Sequence, residues 1–424
     1  MRRGLAAAVV VAALSISATA CSGGDSGSSD SSGPVTITWW DTSDATNEAG
    51  TFKSLIKDFE KVNPDIKVKY VSVPFGDAQT KFQTAAGSKG APDVLRADVG
   101  WTPGFVEAGF LAPLDGTAAA AESGKFKKNL IDQATYQGKL YGVPQVTDTL
   151  GLMYNKELFT RAGVTESPAT WDELKAAMVR VKERTGVDGF AFNPQAYYAM
   201  PFLYGEGTDM VDAAEKRITL NSPAAVKGVD TLNAVLAAPG IRKLDTTSNA
   251  YANIMDAFNS GKVAAIIQGP WENANVFKGA AFKDKNNLGI AALPAGSAGR
   301  GAPLGGHNLV AYAGSDARHQ QASQKFIAFM TSADAQKKVA LANGTLPTRD
   351  DAYTAEVTAN PGIAGYSRLL AAGKPRQPLA QYSSLYTPFE TQLIKIVSKQ
   401  EATKSGLDKA AAEAKKLLPE FSTQ

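Results

Sequence analysis

From residue 35 onwards the chain alternates between two hydrophobic rhythms. Val35, Ile37 and Trp39 alternate with Thr36 and Thr38, the period of a half-buried strand, before Trp40-Asp41-Thr42-Ser43-Asp44 ends the run in polar turn formers. Phe52, Leu55, Ile56, Phe59 and Val62 then recur at helical spacing until Asn63-Pro64-Asp65 stops them. Ile66, Val68 and Tyr70 alternate with Lys67 and Lys69 as a second strand. Strand, helix and strand over this length predict a right-handed crossover in a parallel sheet. The same grammar continues to the end. Thr170-Trp171-Asp172-Glu173 fits a capping box ahead of Leu174, Ala177, Met178 and Val181. Ser222-Pro223 sets a cap and a first-turn proline before Val226, Val229, Leu232 and Leu236, with Gly240 beyond the end. Residues 263–267 read as a short apolar strand running into Gln268-Gly269-Pro270-Trp271. Phe326, Ile327, Phe329 and Met330 mark another helix, and Leu407, Ala411, Ala414 and Leu418 a last one before Pro419. Strands alternating with helices throughout predict an α/β protein. No internal repeat and no low-complexity linker follows residue 34, so two domains, if present, do not divide at one point of the chain.

The first residues obey a different logic. Arg2 and Arg3 precede an apolar run over 5–14, then Ser15-Ile16-Ser17-Ala18-Thr19-Ala20 and Cys21, the layout of a secretory signal peptide over 1–20. The run is too short to span a bilayer, and no later segment reaches about 18 uninterrupted apolar residues. Ala18-Thr19-Ala20-Cys21 resembles the bacterial lipobox, which implies cleavage before Cys21 and a diacylglyceryl group on its sulfur. The alternative is an ordinary leader cut near Ala20. Residues 22–33 read SGGDSGSSDSSG, which can bury no apolar area and fits a flexible tether, so 21–34 is expected to join a lipid anchor to a folded body. Gly24-Asp25-Ser26-Gly27 matches a serine-protease string only by chance, since no positioned histidine accompanies it.

Composition then narrows the chemistry. The chain of 424 residues has 44 Lys plus Arg against 41 Asp plus Glu, 2 His and a single Cys, with a formal net charge of +3. That balance supplies no basic face for nucleic acid. One cysteine makes no internal disulfide, and His307 and His319 make no His-rich zinc site, so neither a metal nor a cofactor is expected. There is no G-x-S-x-G elbow, no phosphate loop and no H-E-x-x-H. Gly205-Glu206-Gly207 and Gly299-Arg300-Gly301 lack the third glycine of a dinucleotide loop. The remaining enzymatic option is glycoside hydrolysis by paired carboxylates. What the chain does carry is aromatics beside acids: Trp39, Trp40, Trp101, Tyr197, Tyr198, Trp271 and Tyr386 with Asp41, Asp44, Asp98, Asp148 and Glu272. A pyranose offers C–H faces to flat rings and hydroxyls to carboxylates, so this set suits a sugar. Core packing explains any single ring about equally well.

Ordered strings carry a family resemblance over nearly all of the chain after the leader. Val35-Thr36-Ile37-Thr38-Trp39-Trp40, Phe59-Glu60-Lys61-Val62-Asn63-Pro64-Asp65-Ile66-Lys67-Val68, Ala91-Pro92-Asp93-Val94, Gly138-Lys139-Leu140-Tyr141-Gly142-Val143-Pro144 and Leu152-Met153-Tyr154-Asn155-Lys156-Glu157-Leu158-Phe159 are followed in register by Pro168-Ala169-Thr170-Trp171-Asp172-Glu173-Leu174, Phe258-Asn259-Ser260-Gly261-Lys262-Val263-Ala264-Ala265 and Gly269-Pro270-Trp271. Together they resemble the extracellular solute-binding proteins of bacterial carbohydrate ABC importers, and within them the maltose and maltodextrin-binding proteins. The resemblance implies a periplasmic-binding-protein-like fold of two interleaved α/β lobes, 35–147 plus 310–356 and 148–309 plus 357–424, joined by a multi-strand hinge around a ligand cleft. It also implies a monomer that does no chemistry. Such a protein closes on an oligosaccharide and delivers it to the transmembrane subunits of a permease at the extracytoplasmic face of the bacterial membrane.

Ligand residues carry over by position. Asp148 falls on the family's hinge-side acid, Tyr197 and Trp271 on stacking aromatics, Tyr386 on an aromatic near the C-terminus, and Asp41 or Asp44 on the acid of the first loop. Arg96-Ala97-Asp98-Val99-Gly100-Trp101 departs from the maltose pattern, which has an aromatic at Ala97 and an acid–arginine pair at Gly100 and Trp101. Asp98 and Trp101 are read as replacements, and this departure keeps open a different sugar or a polyol. Glu390 stands where an arginine is usual, and His307, after Gly305-Gly306, reads as a satisfied structural histidine, with a place facing the cleft as the alternative.

Overall fold

The protein is described by a computed structural model over residues 33–423. The expected signal peptide, Cys21, the protease-like string and nearly all of the tether lie outside those residues. Strand β1 (Val35–Asp41) pairs in parallel with β2 (Ile66–Ser72), in register from Val35↔Ile66 to Asp41↔Ser72, and with β3 (Val94–Asp98). The pattern ends the first strand at Trp39, but the strand continues: Trp40 and Asp41 pair with Val71 and Ser72, which draws Asp41 into the sheet. Helix α1 (Ala49–Val62) makes the crossover and buries Phe52, Leu55, Ile56 and Phe59. Trp39 anchors this face, edge-on to Phe52, Tyr70 and Phe326. Each such apolar side chain contributes roughly 1.5–3 kcal/mol on burial. Helix α2 (Phe75–Gly87) leads from β2 to β3.

The chain then passes from this sheet to a second one. Strand β4 (Gly142–Thr149) is buried along its whole length and is followed at once by β5 (Gly151–Asn155). Strands β6 (Asp188–Ala191), β7 (Val263–Gln268) and β8 (Leu288–Ala291) join β5 in a second, four-stranded sheet of order β8-β5-β7-β6, with β6 and β7 parallel. The long strand β9 (Ala302–Ala311) returns antiparallel to β4, from Leu304↔Thr149 to Val310↔Gly142, with a bulge between His307 and Asn308. It also pairs with β3, and β10 (Gly373–Lys374) extends the six-stranded sheet beyond it.

The cores show why the sequence has no boundary. Val143 and Val146 of β4 pack with Ile37 and Trp39, whereas Leu150 and Leu152, just beyond, pack with Phe190, Phe202 and Leu232. Strand β9 makes the opposite passage: Leu304 packs with Met153 and Phe258, Leu309 and Ala311 with Trp39. An isolated bridge from Thr147 to Leu346 sets a further segment against β4. Helix Ala333–Asn343 lies at the junction, giving Val339 to the first core and Ala340 to a cluster of the second sheet.

Local signals hold where they were read. Thr170 accepts from the Glu173 N–H and Glu173 accepts from the Ala169 N–H, capping α3 (Trp171–Thr185). Ser222 caps the helix Pro223–Leu236 through the Ala225 N–H. The last two helices named from sequence span Ala317–Met330 and Thr403–Leu417. Among the described residues no helix is long and apolar enough to cross a membrane, and no group of His, Cys, Asp and Glu could hold a metal ion.

Candidate functional site

The passage of β4 and β9 between the two cores builds a floor from three neighbouring strands. Asp98 at the end of β3 faces His307 of β9 across one pairing, and Asp148 of β4 faces Gly305 of β9 across the other. Gly305 has no room for a side chain: a Cβ there would lie 2.2 Å from Asp148 Oδ1 and 2.9 Å from the Tyr197 hydroxyl. The missing side chain is what lets these two groups converge over the strand.

Their surroundings set the electrostatics. Asp98 caps the short turn Val99–Trp101 by accepting from the Gly100 N–H at 2.7 Å. Both of its oxygens also accept from the Arg376 guanidinium, Nη1 to Oδ1 and Nη2 to Oδ2, the latter at 3.2 Å. This fork-to-fork pair is buried on both sides. Arg376 also lies over the Tyr197 ring, 5.8 Å from its centroid. Asp148 has far less help: it is 9% exposed and, among the described residues, accepts only a long 3.3 Å hydrogen bond from the Tyr197 hydroxyl. Burial, reinforced by the charge of Asp98, pushes its carboxyl up to about 7 against the opposing pull of Arg376 and Tyr197.

Three tilted rings stand over this floor. Tyr197 is on helix α4 (Ala196–Gly205), whose first N–H is donated to Glu390 at 3.0 Å. A carboxylate at a helix N-terminus is favoured by the helix dipole, so Glu390, which stands where the resemblance expects arginine, braces the helix that carries Tyr197. Trp271 follows β7 in the turn Pro270–Glu272, its indole N–H donated to Tyr251 at 2.9 Å and Tyr251 donating in turn to Glu272 at 2.6 Å. Tyr197 is 6.4 Å from Trp271 and 6.2 Å from Tyr386, both at 52°. These separations are those of interacting rings, and Tyr197, Trp271 and Tyr386 all keep partly exposed surface.

Residues 44–337 match the family of bacterial extracellular solute-binding proteins. The chain belongs to that family. The GacH receptor of Streptomyces glaucescens GLA.O, solved unliganded and in complex with acarbose and an acarbose homolog, is 39% identical, with a TM-score of 0.86 over 92% of this chain and 99% of that one. The diacetylchitobiose binding protein DasA of Streptomyces coelicolor is 27% identical over 363 residues, 82% of this chain and 83% of the relative. A maltooligosaccharide ABC transporter solute-binding lipoprotein of Streptococcus pneumoniae is 26% identical over 385 residues, 87% and 86% of the two chains. The two sheets joined by crossing strands are the two-lobed α/β architecture of this solute-binding family.

Within this solute-binding protein, five of the eight residues singled out from sequence come together: Asp98, Asp148, Tyr197, Trp271 and Tyr386. Trp101 is buried beside them, stacked on Phe75 at 5.2 Å and 24°. Asp41 is fully enclosed and accepts from the Ser43 N–H and hydroxyl and from Tyr70, with Arg96 3.9 Å away. Asp44 is exposed and organises its own turn by accepting from Thr46 and the Asn47 N–H. Asp41 makes its hydrogen bonds within the first sheet, whereas the charge of Asp44 reaches Glu272, next to Trp271.

Two residues of the site, Arg376 and Phe75, have no direct signal in the sequence, and a third, His307, is weighed there between the cleft and a structural role. Arg376 lies in a loop bounded by Pro375 and Pro378, where no periodicity points to it. The signal was indirect, since an acid at Asp98 without the family's adjacent arginine needs a cation from elsewhere. Phe75, 49% exposed, reads as the start of a helix rather than as a shelf over Trp101. His307, expected to be satisfied, has both ring nitrogens buried without a hydrogen-bond partner among the described residues. It meets the edge of Phe75 at 5.7 Å and 79°.

Proposed function

We propose that this chain is the extracytoplasmic solute-binding component of an ABC importer, and that its ligand is a gluco-oligosaccharide of the maltose or maltodextrin type held between the lobes for delivery to the permease. The observation that carries this reading is Asp148, a buried carboxylate with one long hydrogen bond, set among Tyr197, Trp271 and Tyr386. Sugar hydroxyls supply the donors that Asp148 lacks, and the rings supply flat apolar faces for the pyranose. Asp98 and Trp101 contribute beside them. The acarbose complex of the GacH receptor and the maltooligosaccharide name of the pneumococcal relative favour the same class. The name of DasA and the divergent segment 96–101 favour a different sugar as the second reading.

A paired-carboxylate hydrolase fits less well, because Asp98, the acid nearest Asp148 on the floor, is already held by Arg376 and Gly100. A thermal-shift and tryptophan-fluorescence panel of maltose, maltotriose, maltotetraose, acarbose and diacetylchitobiose separates the readings. A ligand of the folded state at about 100 times its Kd stabilises by about 2.7 kcal/mol. The maltodextrins are expected to shift the melt and Trp271→Ala to remove the shift. Response to diacetylchitobiose alone selects the other sugar, and steady sugar release at catalytic protein concentration selects the hydrolase.

The lobes are proposed as 35–147 plus 310–356 and 148–309 plus 357–424, and the protein as a monomer tethered to the membrane through lipid on Cys21. A Cys21→Ser protein is expected in the culture medium. Its retention in the membrane fraction would count against the anchor.

A further inference from the structure

His307 lies on the strand floor between Asp98 and Val146, with no hydrogen-bond partner for either ring nitrogen among the described residues. A neutral imidazole carries one donor and one acceptor, and burying either without a partner costs free energy. No carboxylate is bonded to it. Across β3 it faces Asp98, whose oxygens are taken up by Arg376 and Gly100. Across β4 it faces Val146. Burial, with the positive charge of Arg96 and Arg376 added to it, holds the imidazole well below its ordinary range, so the ring is neutral. Phe75 packs against the ring nearly at right angles, and the Phe75–Trp101 stack leaves Phe75 half-exposed next to it.

Resting on the oligosaccharide reading above, we propose that His307 is a sugar-contacting residue, its neutral ring donating to one hydroxyl and accepting from a neighbouring one in a subsite bounded by Phe75, Trp101 and Asp98. A hydroxyl is both donor and acceptor, so adjoining hydroxyls of one pyranose satisfy both nitrogens, while Phe75 covers the C–H face of the ring. A sugar lacking hydroxyls at this subsite leaves the imidazole buried and unpaired, and is therefore discriminated against.

The chain has 2 histidines, His307 and the surface residue His319, which is paired with Asp316 at 2.8 Å. The imidazole nitrogen spectrum of a histidine-labelled protein without an affinity tag therefore contains two rings, assigned by His307→Gln. Addition of the best-stabilising sugar of the panel above is expected to move both His307 nitrogens and leave His319 in place. His307→Ala is expected to weaken that sugar about tenfold or more without lowering the melting temperature of the ligand-free protein. Unmoved His307 signals at saturating sugar, or parental affinity in both variants, overturns the assignment. Should the parent bind no sugar of the panel, the oligosaccharide reading itself fails and takes the assignment with it. A parent that binds while His307 stays still fails the assignment alone.

Discussion

Asp148→Asn is expected to melt higher than the parent at pH 8 and to lose most of its response to sugar. The carboxyl is raised to about 7 in the folded protein, chiefly by burial, against about 4 in an unfolded chain. A group that holds its proton more tightly when folded contributes its stability below the unfolded value and loses it as the pH rises through the folded one. Below about pH 4 the aspartic acid therefore costs nothing, and between about 4 and 7 the penalty grows to a few kcal/mol, at 1.36 kcal/mol per unit. Asparagine removes that penalty. Melting curves of the two proteins should coincide near pH 4 and separate toward pH 8, with the variant on top. The ionised carboxylate is also the acceptor for sugar hydroxyls, and charge-assisted bonds contribute about 1.5–3 kcal/mol. Parent affinity should accordingly rise with pH through about 7, and the variant should bind roughly ten- to a hundredfold more weakly with little pH dependence. A variant that melts below the parent at pH 8, or keeps its affinity, contradicts this account of Asp148.

Arg376→Met is expected to be the most damaging single change to stability. The guanidinium pairs with Asp98 through both oxygens and also lowers the penalty on Asp148. Removing one partner of a buried pair costs about 3–5 kcal/mol, because the other charge is left without compensation. Here two carboxylates are left. The loss is also a loss of connection: Asp98 ends β3 of the first sheet, whereas the segment after Arg376 sends Leu379, Tyr382 and Leu385 into the core of the second, and Ser383 donates to the Gly100 carbonyl at 2.8 Å. Denaturant unfolding at pH 8 should show the drop, and Asp98→Asn in the Arg376→Met background should restore most of it. A double variant no more stable than Arg376→Met alone would mean that the pair does not hold the site together.

The fold was legible because its elements announce themselves locally. Thr170, Ser222 and the periodic face of α1 name their helices, and the alternation from Val35 names the first strand. The end of the first strand was not legible at Asp41 because polar residues ordinarily end a strand; only the tertiary pairing with Ser72 and the hydrogen bonds from Ser43 and Tyr70 show Asp41 as a buried member of the sheet. Asp148, Tyr197 and Trp271 were legible through motif register. Arg376 and His307 were not, since their roles depend on partners 278 residues away in one case and on the absence of partners in the other. A sequence displays residue types and spacings; it does not display an unmet hydrogen bond.

The most direct test of the sugar-receptor account is a calorimetric titration of maltotriose into the parent protein and into Trp271→Ala, a variant whose ring is partly exposed and whose loss should leave the fold intact. One saturable site per chain in the parent, weakened about tenfold or more in the variant, is the expected result. No heat in the parent, or equal binding in both proteins, would contradict a maltodextrin site between the lobes.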